Sequence, residues 1–211
     1  MHVNSKLGTT PMAWKVERWL EDVFPGEDRI YEEYRLLPRR ELGVVAAAVL
    51  DVALGELLSR RLIDKPKEYE EFLGLNEDGR APCASFGARI QLGLLLGIIT
   101  ETDASLLRTV KNIRNKLAHR VKSDYNTSDV LPLITSLHDK FLSQSNRLIE
   151  RGVLPGPQHD FTLLRPHLET TPEAGAGLLL AVLTVYQSYF HRLSDLITRV
   201  TIVFPPDTDG V

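Results

Sequence analysis

Between Arg39 and Ile63 the chain reads R-R-E-L-G-V-V-A-A-A-V-L-D-V-A-L-G-E-L-L-S-R-R-L-I, with apolar residues at almost every position of a helical wheel from Leu42 to Leu54. A helix without a polar face must be enclosed by other helices. Asp51 is its only charge between Glu41 and Glu56. A carboxylate in such a place needs a partner, because an isolated buried charge is expensive. A second apolar helix is predicted over 85–99, S-F-G-A-R-I-Q-L-G-L-L-L-G-I-I, where Arg89 is again the only charge. The polar connection 64–82, with Lys65-Pro66, Gly74, Gly79 and Pro82, has room for a short helix at 67–73.

Elsewhere the pattern turns amphipathic. Thr102 or Asp103 caps a helix from about Ala104 to Val121, a turn is predicted at Asn126–Asp129, and a further helix over Leu131–Arg151 ends in a loop at 152–157. Thr171-Pro172-Glu173 opens the last helix, which runs towards Val200. Near the amino terminus Thr10-Pro11 starts an amphipathic helix carrying Trp14, Val16, Trp19, Leu20 and Val23. No segment alternates apolar and polar residues between hairpin turns, so the expected fold is an all-α helical bundle of about five to seven helices. The expected organisation is a bundle over 1–155 and a helical extension over 156–211 packed on the same domain.

Composition narrows the function. A net charge of −3 excludes a general nucleic-acid coat, which needs a basic excess, and leaves room only for a local basic patch. Cys83 is the only cysteine, so no internal disulfide or cysteine-rich zinc site can form, and a reducing, cytoplasmic setting is expected. The start, M-H-V-N-S-K-L-G-T-T, lacks the apolar region of a secretory signal. The runs Leu92–Ile99 and Ala174–Phe190 read as buried helices, and no membrane partner is expected.

Phosphate-binding glycine loops, a nucleophile elbow and H-E-x-x-H are absent. The histidines show no metal-ligand spacing, so neither metal nor cofactor is expected, and Gly175-Ala176-Gly177 reads as close helix packing. No helix-turn-helix is evident either, and direct sequence-specific DNA binding is not expected.

The local basic patch is K-N-I-R-N-K-L-A-H-R-V-K, residues 111–122. With Arg114 at 0° on a wheel of about 100° per residue, Leu107, Val110, Ile113, Leu117 and Val121 span roughly −100° to +20°. Arg114 therefore falls at the buried edge. Arg108, Lys111, Asn115 and His119 form the adjacent stripe, and Lys116 and Arg120 point away. Two explanations fit a buried-edge arginine. It pairs with Asp51, in competition with Arg89, as a structural polar network of Asp51, Arg89 and Arg114. Otherwise it lines a cleft and binds phosphate beside Asn115 and His119, with Arg108 and Lys111 as further phosphate contacts.

The ordered set formed by 40–58, then S-F-G-A-R-I-Q-L-G-L-L-L-G-I-I, then L-L-R-T-V-K-N-I-R-N-K-L-A-H resembles the mannitol operon repressor (MtlR) family over roughly residues 35–135. Leu50-Asp51, S-F-x-A-R-I and I-R-N-x-x-A-H are its most specific elements. The resemblance implies an all-α cytoplasmic transcriptional regulator without a recognisable DNA-binding motif, acting through protein–protein contacts. Arg114 to His119 is also similar to the R-x4-6-H motif of the HEPN superfamily. That likeness implies a helical bundle, commonly dimeric, whose active members are metal-independent endoribonucleases serving as toxins or defence components. Arg114 would then hold the scissile phosphate, His119 would transfer the proton, and Asn115 would orient them.

Three readings remain open. The first is an MtlR-like repressor with a protein partner or homodimer. The second is an RNase of the HEPN type, with RNA as partner and Arg114, Asn115 and His119 as catalytic residues. The third is a non-catalytic interaction module. On the first, Asp51→Asn and Arg114→Ala each strand a buried charge and destabilise by several kcal/mol.

Overall fold

The structure is a computed structural model that describes residues 34–75, 79–120, 122–152 and 161–197. The amino-terminal amphipathic helix expected at Thr10-Pro11 lies outside the described residues, as does most of the loop at 152–157. The fold is all-α, and the described residues contain no strand. The helices are α1 (Arg39–Arg61), α2 (Pro66–Leu73), α3 (Phe86–Leu95), α4 (Glu101–His119), α5 (Leu131–Glu150), α6 (Arg165–Leu168) and α7 (Pro172–Leu196). A 3-10 turn, Phe161–Leu164, leads into α6.

The helix without a polar face is the centre of the bundle. Val49, Leu50, Leu54, Leu57 and Leu58 of α1 are fully buried, with α7 against one side and α4 and α3 against others. Contact between α1 and α7 is the most extensive of any pair of helices described. Leu178, Leu179, Val182, Leu183 and Tyr186 of α7 belong to the same continuous apolar core as α1, α4 and α5. The carboxyl-terminal helix is thus part of the core. By length and composition α1 could cross a membrane, yet most of its most apolar stretch is buried inside the bundle.

Glycines set how closely the turn after α4 approaches α1 and α7. A Cβ on Gly43 would lie 2.4 Å from Leu117 Cδ1 and 2.9 Å from Tyr125 Oη, and one on Gly175 would lie 2.7 Å from Tyr125 Cβ. Tyr125, in that turn, is wedged between these glycines and donates its hydroxyl to the Arg39 carbonyl at 2.5 Å. The close packing expected at Gly175-Ala176-Gly177 is made by Gly175 against this loop residue; nothing lies within 4 Å of a Cβ on Gly177.

Helix ends depart from the sequence expectation in two places. The apolar run through Ile99 is not one helix. Gly97 takes φ 66°, Ile98 N–H donates to the Gly93 carbonyl and Gly97 N–H to the Leu94 carbonyl, which closes α3 and tucks Ile98 and Ile99 into the core. Next, α4 begins at Glu101 because Thr100, not Thr102 or Asp103, is its cap: the Thr100 hydroxyl accepts from Asp103 N–H, and the Asp103 carboxylate accepts from Thr100 N–H.

Buried phenols give the fold a pH limit. Burial raises Tyr34, Tyr125, Tyr186 and Tyr189 above the ordinary tyrosine value, reinforced at Tyr186 and Tyr189 by the negative charge of Asp103. Unfolded tyrosines ionise at about pH 10. The stability linked to these groups is complete below that pH and is lost as pH rises through and beyond it. Urea unfolding midpoints measured from about pH 8 to pH 11 are expected to fall steeply above about pH 10, and less steeply in Tyr186→Phe.

Candidate functional site

Arg89, on the first turns of α3, is 5% exposed, and its guanidinium is occupied in every direction. Nη1 donates to Asp51 Oδ1 at 2.8 Å and to the Asp51 carbonyl at 3.3 Å, Nη2 donates to the Leu73 carbonyl at 2.7 Å, and Nε donates to the Cys83 carbonyl at 3.1 Å. One side chain therefore clasps α1, the carboxyl end of α2 and the connection before α3. Gly55 makes room for it, since a Cβ there would lie 3.3 Å from Arg89 Nη1. The competition for Asp51 is settled in favour of Arg89. Burial pushes the Asp51 carboxyl above its ordinary value, while the charges of Arg89 and Arg114 pull it down.

Arg114 is not at a buried edge, so the several-kcal/mol loss expected of Arg114→Ala loses its basis. It is exposed, and its one hydrogen bond among the described residues runs from Nη1 to Asn115 Oδ1 at 3.1 Å. The reason lies opposite it. Where α4 faces α1 and the start of α3 at this level, the residues are Ala47, Ala48, Ala84 and Gly87, too small to fill the space, so the edge of the apolar arc meets a cleft of about 480 Å³. Asp51, Ser85, Phe86, Lys111, Arg114 and Asn115 complete its lining. Lys111 Nζ sits against the first turn of α3, 3.0 Å from where a Cβ on Gly87 would be.

The other basic residues go elsewhere. Arg108 Nη2 donates to Gln91 Oε1 at 3.1 Å and does not line the cleft, so of the two further phosphate contacts only Lys111 does. His119, the last residue of α4, is exposed and outside the lining, so Arg114 and His119 do not share this concavity. Arg120, expected to point away, is exposed and paired with Asp129 at 3.0 Å, whereas Lys116 is half-buried. A second concavity of about 360 Å³ is lined by Pro38, Arg39, Arg40, Lys122, Ser123 and Asp124. There Arg39 is engaged by Glu173 and Asp124, and Arg40 Nε donates to the Leu117 carbonyl at 2.7 Å.

Sequence reasoning missed the most buried polar cluster. Asp103 is 0% exposed; its Oδ1 accepts from Gln144 Nε2 at 2.6 Å and from the Tyr186 hydroxyl at 2.7 Å, while Oδ2 accepts from Thr100 N–H and hydroxyl at 2.9 and 2.7 Å. The T-x-x-D spacing of Thr100 and Asp103 carries the signal for half of it, the capping box. His138, also buried, is bonded through Nε2 to the Phe161 carbonyl at 3.0 Å and fixes the 3-10 turn to α5. Among the described residues no three His, Cys, Asp or Glu side chains come together as a metal site.

These features define a helical bundle with Arg89 paired to Asp51 inside it and an open cleft lined by two cations, Lys111 and Arg114. No protein-family model, no curated protein and no solved structure matches this chain.

Proposed function

We propose that this protein is a non-enzymatic transcriptional regulator of the MtlR type, acting in the cytoplasm by contact with a protein partner or a second copy rather than by reading DNA. The observation that supports this reading most is the separation of the residues an RNase would need: Arg114 and Asn115 line the cleft, and His119 stands outside it. A general acid–base group must come within hydrogen-bond reach of the atoms it serves. The Asp51–Arg89 pair, central to the resemblance, is engaged inside the protein and leaves the outer faces for recognition.

The test is transcript sequencing of a deletion strain complemented with wild type or His119→Ala. Both are expected to restore one altered operon equally, and the purified protein alone should not shift that operon's promoter DNA. RNA cleavage in EDTA by purified wild type, abolished by His119→Ala, would overturn the reading. Cleavage would favour the second one, a metal-independent endoribonuclease. One feature favours that alternative: Arg114 is exposed, bonded to the neighbouring Asn115, and not consumed by a structural ion pair.

A further inference from the structure

We propose that the cleft between α1, the start of α3 and α4 is a binding site for a small phosphate monoester, held by Lys111, Arg114 and Asn115. Charge balance within this concave space points to an anion. The cleft has one carboxylate, Asp51, and its charge is matched by Arg89. Lys111 has no hydrogen bond or ion pair among the described residues, and Arg114 has only its bond to Asn115. The first turn of α3, against which the Lys111 ammonium rests, contributes no acid. Two cations thus share one recess whose single carboxylate is already engaged by Arg89, an arrangement that leaves positive charge in excess until a further anion arrives.

The groups suit a phosphoryl end. An arginine fork binds oxyanions through paired N–H groups, and a lysine supplies a point charge. Asn115 Oδ1 accepts from Arg114, which leaves its amide N–H groups as donors. Two unmatched cations fit the roughly −1.5 to −2 charge of a phosphate monoester at neutral pH better than a single carboxylate. The wall of Ala47, Ala48, Ala84 and Phe86 offers an apolar seat for the esterified group. A volume of about 480 Å³ suits a small molecule, and the Asp51 carboxylate, 24% exposed beside the cations, disfavours a continuous polyanion. The site is independent of the regulatory reading: loss of the partner with phosphate binding intact would sink only that reading.

The test is calorimetric titration of the folded full-length protein with inorganic phosphate and with phenyl phosphate. Both are expected to bind saturably, phenyl phosphate more tightly. Lys111→Gln and Arg114→Gln, both near the surface, should each weaken binding at least tenfold without changing the melting temperature appreciably. Ala48→Glu, which puts a carboxylate into the recess, should abolish binding, and Lys122→Gln at the other concavity should leave it unchanged. The proposal is overturned by no saturable binding of either probe at millimolar concentration, by phenyl phosphate binding no tighter than phosphate, or by binding that survives all three cleft substitutions. Binding of poly-glutamate or single-stranded RNA in place of both phosphate probes, lost in the same variants, would assign the cleft to a macromolecule and equally overturn it.

Discussion

Asp103→Ala is expected to lower the unfolding free energy by about 5 kcal/mol, at the upper end of what single substitutions do. The side chain is completely buried and accepts four hydrogen bonds from three helical segments: Thr100 at the start of α4, Gln144 on α5 and Tyr186 on α7. Truncation removes one acceptor but strands several donors, each costing about 1–3 kcal/mol when left unsatisfied. Part of that cost is relieved if water enters, which is why the sum is not carried in full. Tyr186→Phe should cost much less, about 1 kcal/mol, because it deletes a donor and leaves Asp103 three others. Chemical denaturation of the two variants checks the ranking. Equal effects would mean that the network is not organised around Asp103.

Arg89→Ala is the second large effect, with an expected loss of about 3–5 kcal/mol. The substitution leaves the Asp51 carboxylate without its partner and frees the Leu73 and Cys83 carbonyls together. For a chain of this size that is a fall in melting temperature on the order of 10 °C. Because the same side chain closes α2 onto α1, hydrogen exchange in Pro66–Leu73 should accelerate more than in α5. Asp51→Asn should be milder: an amide oxygen still accepts from Arg89, and the burial cost of the carboxylate is removed. Since burial raises the Asp51 carboxyl, its contribution is present at low pH and lost as pH rises through the carboxylate range. The advantage of wild type over Asp51→Asn should therefore widen on acidification.

Much of this architecture was legible in the sequence, for physical reasons that can be named. Apolar residues on almost every face of Leu42–Leu54 call for enclosure by other helices, and α1 is the central helix. Thr171-Pro172-Glu173 announced α7, and the lone carboxylate of an apolar helix, Asp51, called for a cationic partner, with Arg114 and Arg89 as the candidates. What stayed hidden depended on neighbours. The wheel phase of Arg114 marks the rim of an apolar arc, but whether a rim is covered depends on side-chain volume across from it, here Ala47, Ala48 and Gly87. Asp103 was readable as a cap and not as a hub, because Gln144 and Tyr186 lie 41 and 83 residues away. The end of α3 at Gly97 was obscured by an apolar run that continues beyond it, buried but no longer helical.

The two arginines differ in their engagement: Arg89 holds Asp51 within the fold, whereas Arg114 is exposed and bonds to Asn115. A pair of double-mutant cycles in urea separates these roles, one joining Asp51→Asn with Arg89→Gln and the other joining Asp51→Asn with Arg114→Gln. The first cycle should give a coupling of about 1.5–3 kcal/mol, and Arg114→Gln alone should change stability by no more than about 0.5 kcal/mol, with coupling to Asp51 of similar or smaller size. A strong Asp51–Arg114 coupling together with a weak Asp51–Arg89 coupling would mean that the roles are reversed and that the cleft arginine belongs to the fold.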